Sequence, residues 1–86
     1  MDDLIKLRNK IDDVDRLLIE LFETRLGIVK EIEKIKLSQG LPIRNQAREF
    51  EIIEKSIKNI KNIDYADEIK TFMKEIINIS IDMQMK

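Results

Sequence analysis

The first forty residues constrain this chain more than any others. Proline is absent before Pro42, and Gly27 is the one glycine before Gly40. With Leu4 taken as position a of a seven-residue repeat, the a positions are Leu4, Ile11, Leu18, Arg25 and Ile32. The d positions are Leu7, Val14, Leu21, Ile28 and Ile35. An apolar stripe at helical spacing, sustained for about five heptads, predicts one long helix over residues 2 or 3 to 38. Asp2 and Asp3 suit its start, and Lys34 and Lys36 suit its end. The stripe is interrupted at Arg25, a charge on the face that should be buried.

Such a helix is about 50 Å long at 1.5 Å per residue. The whole chain has 86 residues, and a compact globule of that size has a radius of gyration of about 12 Å. The helix must project from its own globule, so its stripe needs a second chain to cover it, most simply in a two-fold dimer. Gly27 lowers helix propensity and is expected to mark the close approach of another helix.

The remainder reads as two shorter helices in a single domain over 1–86. The loop Gln39-Gly40-Leu41-Pro42-Ile43-Arg44 carries the strong turn signals. A second helix is expected over 45–61, with Ile52, Ile53, Ile57 and Ile60 on one face. A third is expected over 65–85, with Asp64 as its N-cap and Ile69, Phe72, Met73, Ile76 and Ile77 as its stripe. The fold class is all-α.

Charged residues make up 38% of the chain and nearly balance, at a net charge of −1. That argues against a nucleic-acid binder, which carries a basic excess. Cysteine and histidine are both absent, which removes disulfides, Ser-His and Cys-His catalysis and most zinc chemistry. The acidic start is unlike a signal peptide, and the apolar runs are far short of a membrane span. The expectation is a soluble cytoplasmic protein with no cofactor, no metal and no membrane partner, and with no feedback control within this chain.

Each helix carries polar residues where its apolar face should continue. The first has Arg25, with Arg8 and Lys36 one step off the stripe; the second has Asn45, Arg48 and Glu49; the third has Ser80 and Gln84. Buried charges must be paired, wet or bound to a ligand. Arg25, Arg48 and Lys36 outnumber the one carboxylate, Glu49, so a pocket built from them suits a small anion with more than one carboxylate or phosphate. Arg25 and Lys36 lie about 16 Å apart along a helix, within reach of one ligand. Arg8 lies about 25 Å from Arg25 and reaches such a pocket only from a partner chain packed antiparallel.

Each residue taken alone has a plainer reading. Arg8 is a solvated rim charge, Arg25 an ion-pair partner of Glu49 or Asp15, Asn45 a helix cap, Ser80 a small packing residue and Gln84 a frayed end. Glu49 offsets Arg48 or Arg25. Arg16, Lys30 and Arg44 read as solvated surface, and Phe72, Met73 and Met83 as core or dimer contact. The functional case rests on interruptions occurring on three helices together.

In that ordered set the chain resembles the all-helical, type II chorismate mutases over essentially its whole length. The matching stretches are Leu7-Arg8-Asn9-Lys10-Ile11-Asp12, Glu23-Thr24-Arg25, Lys34-Ile35-Lys36, the segment from Pro42 through Arg48-Glu49, and the run from Ile76 through Ser80 to Gln84. The resemblance implies an intertwined homodimer of three-helix chains with two shared active sites, rearranging chorismate to prephenate on the route to phenylalanine and tyrosine. It implies that Arg25 binds one substrate carboxylate and Arg8 of the partner chain the other. Lys36 and Gln84 donate to the ether oxygen, and Arg48, Glu49 and Ser80 complete the pocket, Glu49 toward the ring hydroxyl. The chain departs from the family pattern at Asn45, where Asp is common. A pericyclic reaction needs no nucleophile, metal or proton transfer, in keeping with the missing His and Cys. Two alternatives stand beside this one. An isochorismate pyruvate-lyase has a similar fold but lacks a carboxylate at the Glu49 position. A non-catalytic helical dimerisation module explains the first helix but not the polar residues of the other two.

Overall fold

The computed structural model describes residues 2–85. Helix α1 runs Asp2–Gln39, α2 Gln46–Lys58 and α3 Ala66–Gln84, with a 3-10 turn at Ile63–Tyr65 between α2 and α3. The chain is all-helical, as the periodicity predicts. It measures 56 × 25 × 17 Å with a radius of gyration of 16.2 Å, well above the roughly 12 Å of a compact globule of this length. The excess comes from α1, whose 38 residues span about 57 Å.

Helix α3 packs on α2 and on the second half of α1. Their shared core is small: Val29, Ile77 and Ile81 are buried, together with one polar residue, Ser80. Every described residue of α1 through Leu21 is exposed. Leu4, Leu7, Ile11, Val14 and Leu18 remain 46–58% accessible. The apolar stripe of this half has no cover among the described residues.

The face of α1 that packs within the chain is offset from the heptad seam. Phe22, Arg25, Val29 and Lys36 turn inward, the a and e positions, while Ile28 and Ile35 at d stay mostly accessible. The cause is geometric. A straight helix of 3.6 residues per turn drifts about 20° per heptad against a 3.5 repeat. After three heptads the a/e row points where a/d pointed at the start.

Helix ends follow local chemistry. Gly40 takes φ 66°, and Leu41 N–H donates to the Lys36 carbonyl at 2.8 Å, the closed C-terminal motif that favours glycine. The Asn45 side chain caps α2, its Oδ1 accepting from Arg48 N–H at 3.0 Å. Helix α2 stops at Lys58, three residues short of the expected end, where Asn59 N–H bonds the carbonyls of Lys55 and Ser56. Asp64 is not the N-cap of α3. Asn62 takes that kind of role earlier, accepting from Asp64 N–H at 3.0 Å and starting the 3-10 turn. Gly27 meets no atom within 4 Å of an added Cβ, so the expected close approach of a helix is not made among the described residues. No helix among the described residues is long and apolar enough to cross a membrane.

Candidate active site

A cavity of about 330 Å³ opens between the second half of α1, the start of α2 and the end of α3. Its polar lining is Arg25, Lys36, Asn45, Arg48, Glu49, Ser80 and Gln84. Val29, Ile32, Ile52, Ile77 and Ile81 are among the apolar residues of its walls. Seven of the eight residues singled out by sequence thus share one space. The eighth, Arg8, stands on the uncovered half of α1 and does not line it.

The side chains are held from three directions. Arg25 Nη1 donates to Ser80 Oγ at 2.7 Å, and that hydroxyl donates to the Ile76 carbonyl at 2.8 Å. Ser80 is therefore more than a small packing residue. Lys36 Nζ donates to the carbonyl of Ile43 in the α1–α2 loop, which ties the loop to the cavity wall. Gln84 Nε2 donates to the Ser80 carbonyl at 3.1 Å, while its Oε1 is buried without a hydrogen-bond partner. Gln84 is the last residue of α3, tied by its side chain to the preceding turn.

Charge in the cavity is unbalanced. Among the described residues Arg25 forms an ion pair with neither Glu49 nor Asp15; its described polar contact is Ser80. Burial, and then the nearby positive charge of Arg48, hold the Arg25 guanidinium below its ordinary pKa. Arg48 pairs with Glu51 on the exposed side of α2. Glu49 pairs with Arg44, through Arg44 Nε to Oε2 and Nη2 to Oε1, both at 3.2 Å. The expectation that Glu49 offsets Arg48 or Arg25 is thus corrected, while Arg44 is exposed as expected and in addition pairs with Glu49. Glu49 is already paired with Arg44 and Arg48 with Glu51, so Arg25 and Lys36 leave the cavity cationic. An anion of small-molecule size fits such a space, which lies at the lower end of ligand pockets.

Sequence reasoning missed Arg44 and the Ile43 carbonyl. Arg44 precedes the N-cap and Glu49 sits in the first turn, a spacing that helical periodicity does not describe. A backbone carbonyl leaves no trace in residue type at all.

The family model for chorismate mutase type II matches residues 7–85, nearly the whole chain. The chain belongs to the type II chorismate mutase family. It is 32% identical over 74 residues to the chorismate mutase of Methanocaldococcus jannaschii, covering 84% of this chain and 75% of that protein. It is 43% identical over 54 residues to the T-protein of Haemophilus influenzae, covering 63% of this chain. It is 36% identical over 63 residues to the bifunctional chorismate mutase/prephenate dehydratase of Aquifex aeolicus, covering 73% of this chain. The chain spans only 14% and 17% of the length of those last two relatives. Within the type II family the cationic cavity is the natural place to look for substrate.

Proposed function

We propose that this chain is a chorismate mutase, a cytoplasmic isomerase of aromatic amino acid biosynthesis that works as a homodimer without a cofactor. The observation that carries the reading is the cavity itself. Arg25, Lys36, Asn45, Arg48, Glu49, Ser80 and Gln84 converge on it from three helices and leave it net positive. A dianion held there in a compact chair-like shape has its reacting ends brought together.

The reaction moves electrons within one molecule. The ether C–O bond breaks as a new C–C bond forms, and no proton is transferred. Negative charge grows on the ether oxygen in the transition state. Lys36 and Gln84 are the donors assigned to that oxygen, where preorganised hydrogen bonds count most. Arg25 binds one carboxylate, held in place by Ser80. Arg48 contributes to carboxylate binding once it leaves Glu51, and Glu49 accepts from the ring hydroxyl. The Asn45 side chain is committed to capping α2, so its part is to fix the position of Arg48.

The second carboxylate is assigned to Arg8 of the partner chain. What supports this is the uncovered stripe on residues 2–21, which Arg8 borders and which no described residue of the chain covers. A second copy packed antiparallel on α1 covers the stripe and carries its Arg8 toward the cavity. The test is incubation of the purified chain with chorismate, reading prephenate formation. No turnover of chorismate, with salicylate and pyruvate formed from isochorismate, would replace this reading with the lyase; no turnover of either would leave the dimerisation module.

A further inference from the structure

Arg44 lies outside the cavity and yet touches its one carboxylate. It lines a separate groove on the outer side of α2 and α3, with Phe50 and Lys74, whereas Glu49 borders both spaces. Arg44 therefore approaches Glu49 from behind, on the side away from any ligand in the cavity. The contact is two-pointed, Nε to Oε2 and Nη2 to Oε1 at 3.2 Å each. Two parallel bonds fix the orientation of a carboxylate, where one would leave it free to turn. The Glu49 side chain is 20% accessible against 56% for Arg44, so the arginine is the solvent-side member of the pair. The backbone between them is also fixed. Asn45 caps the helix directly after Arg44, and Glu49 N–H bonds the Asn45 carbonyl at 3.0 Å.

We infer that Arg44 is a positioning residue, which orients the Glu49 carboxylate toward the ligand and offsets its charge so that a dianion is not repelled. This rests on the mutase reading for the identity of the dianion, but the pairing itself does not. Without Arg44 the carboxylate keeps its full charge at the cavity wall and loses its fixed direction. The loss then falls mainly on substrate binding, because the repulsion acts on the bound ground state as well as the transition state.

The experiment is a double-mutant cycle with Arg44→Ala, Glu49→Gln and both together, with Arg44→Lys as the conservative variant. Each single change is expected to lower kcat/KM about tenfold, and the double variant about tenfold as well, since both remove the same interaction. For Arg44→Ala the change is expected in KM, with kcat held within about threefold, and Arg44→Lys is expected to fall between. A double variant about a hundredfold down, the product of two independent losses, would overturn the inference. A second readout needs no turnover. The Arg44 Nε–H resonance in a ¹H–¹⁵N spectrum of the full chain is expected to move on Glu49→Gln. If it does not move, the pair is absent and the inference fails. If it moves while chorismate is untouched, the mutase reading fails and the positioning of Glu49 stands.

Discussion

Arg25 on α1 and Ser80 on α3, 55 residues apart in sequence, are joined by a 2.7 Å hydrogen bond from guanidinium to hydroxyl. That bond ends on Ser80, the one buried polar residue among those described, and holds a charge on the helix face beside an open cavity. A charge so placed costs stability, and its use must lie in what it binds.

Lys36→Ala is expected to lower kcat/KM by about 10²–10³, the loss typical of one donor to a developing charge, and Arg25→Ala by about 10², through loss of a charge-assisted bond to a carboxylate worth about 1.5–3 kcal/mol. Circular dichroism and sedimentation should still report a folded chain of unchanged size. The lowered pKa of Arg25 marks an ion disfavoured by its site. Folding therefore prefers it neutral, but the resulting gain in stability appears only as pH rises toward its folded pKa. At neutral pH the cost is constant. Arg25→Met, of similar reach and no charge, is expected to leave Tm unchanged or slightly raised, since the site is partly open to solvent, while turnover is lost.

Gln84 carries no titrating proton, so kcat/KM is expected to stay flat from pH 6 to 8. Gln84→Glu replaces a donor with a group that donates only when protonated. Burial and a neighbouring substrate anion both raise its pKa above the ordinary value of about 4.3. The variant should then be most active in acid and lose about tenfold per pH unit above that pKa. A pH–rate profile of the two proteins distinguishes these outcomes.

The shared-site proposal makes a quantitative claim about mixtures. Arg8→Ala and Arg25→Ala chains should each be inactive alone. Unfolded together in equal amounts and refolded, half of the dimers are mixed, and each mixed dimer has one intact site. About a quarter of wild-type turnover is expected to return. Confirmed mixed dimers without activity would remove Arg8 from the site.

Leu7 and Val14 sit on the stripe that the chain leaves open, at 56% and 55% accessible. If a second copy covers them, Leu7→Glu with Val14→Glu buries two charges at the seam. Sedimentation should report a monomer, and helical ellipticity should fall as the unsupported half of α1 frays. A dimer of full helicity would place the interface elsewhere.

Gly40 closes α1 in the left-handed region, where a side chain is penalised by about 1–2 kcal/mol. Gly40→Ala is expected to lower Tm by several degrees, with a smaller loss of activity through the loop that Lys36 grips. Thermal melts beside kinetics at saturating substrate separate the two effects.

The fold was legible because its strongest signal is long and periodic. The three helices and the α1–α2 loop follow from the spacing of Leu, Ile and Val and from Gly40 and Pro42. The end of α2 was harder, since Asn59 closes it by backbone bonds while Ile60 still fits the apolar pattern. The Asn62 turn competed with Asp64 for the same capping role, and both are good acceptors. The site was legible as polar residues on apolar faces, which needs only the period of the helix. Its pairings were not. Arg48 has Glu49 beside it in sequence and takes Glu51, one turn on. Glu49 takes Arg44, which precedes the helix. Rotamer direction and the cap decide those choices, and neither is written in residue spacing.

The bare half of α1 has a consequence for supply as well as for shape. A segment that gains its support from another molecule is completed by an encounter, so on the dimer reading the population of finished sites varies with the square of chain concentration wherever single chains predominate. Halving the chain in a dilute compartment then leaves about a quarter of the sites rather than half. Flux through the step becomes steeper than expression, and dilution alone is enough to switch it off.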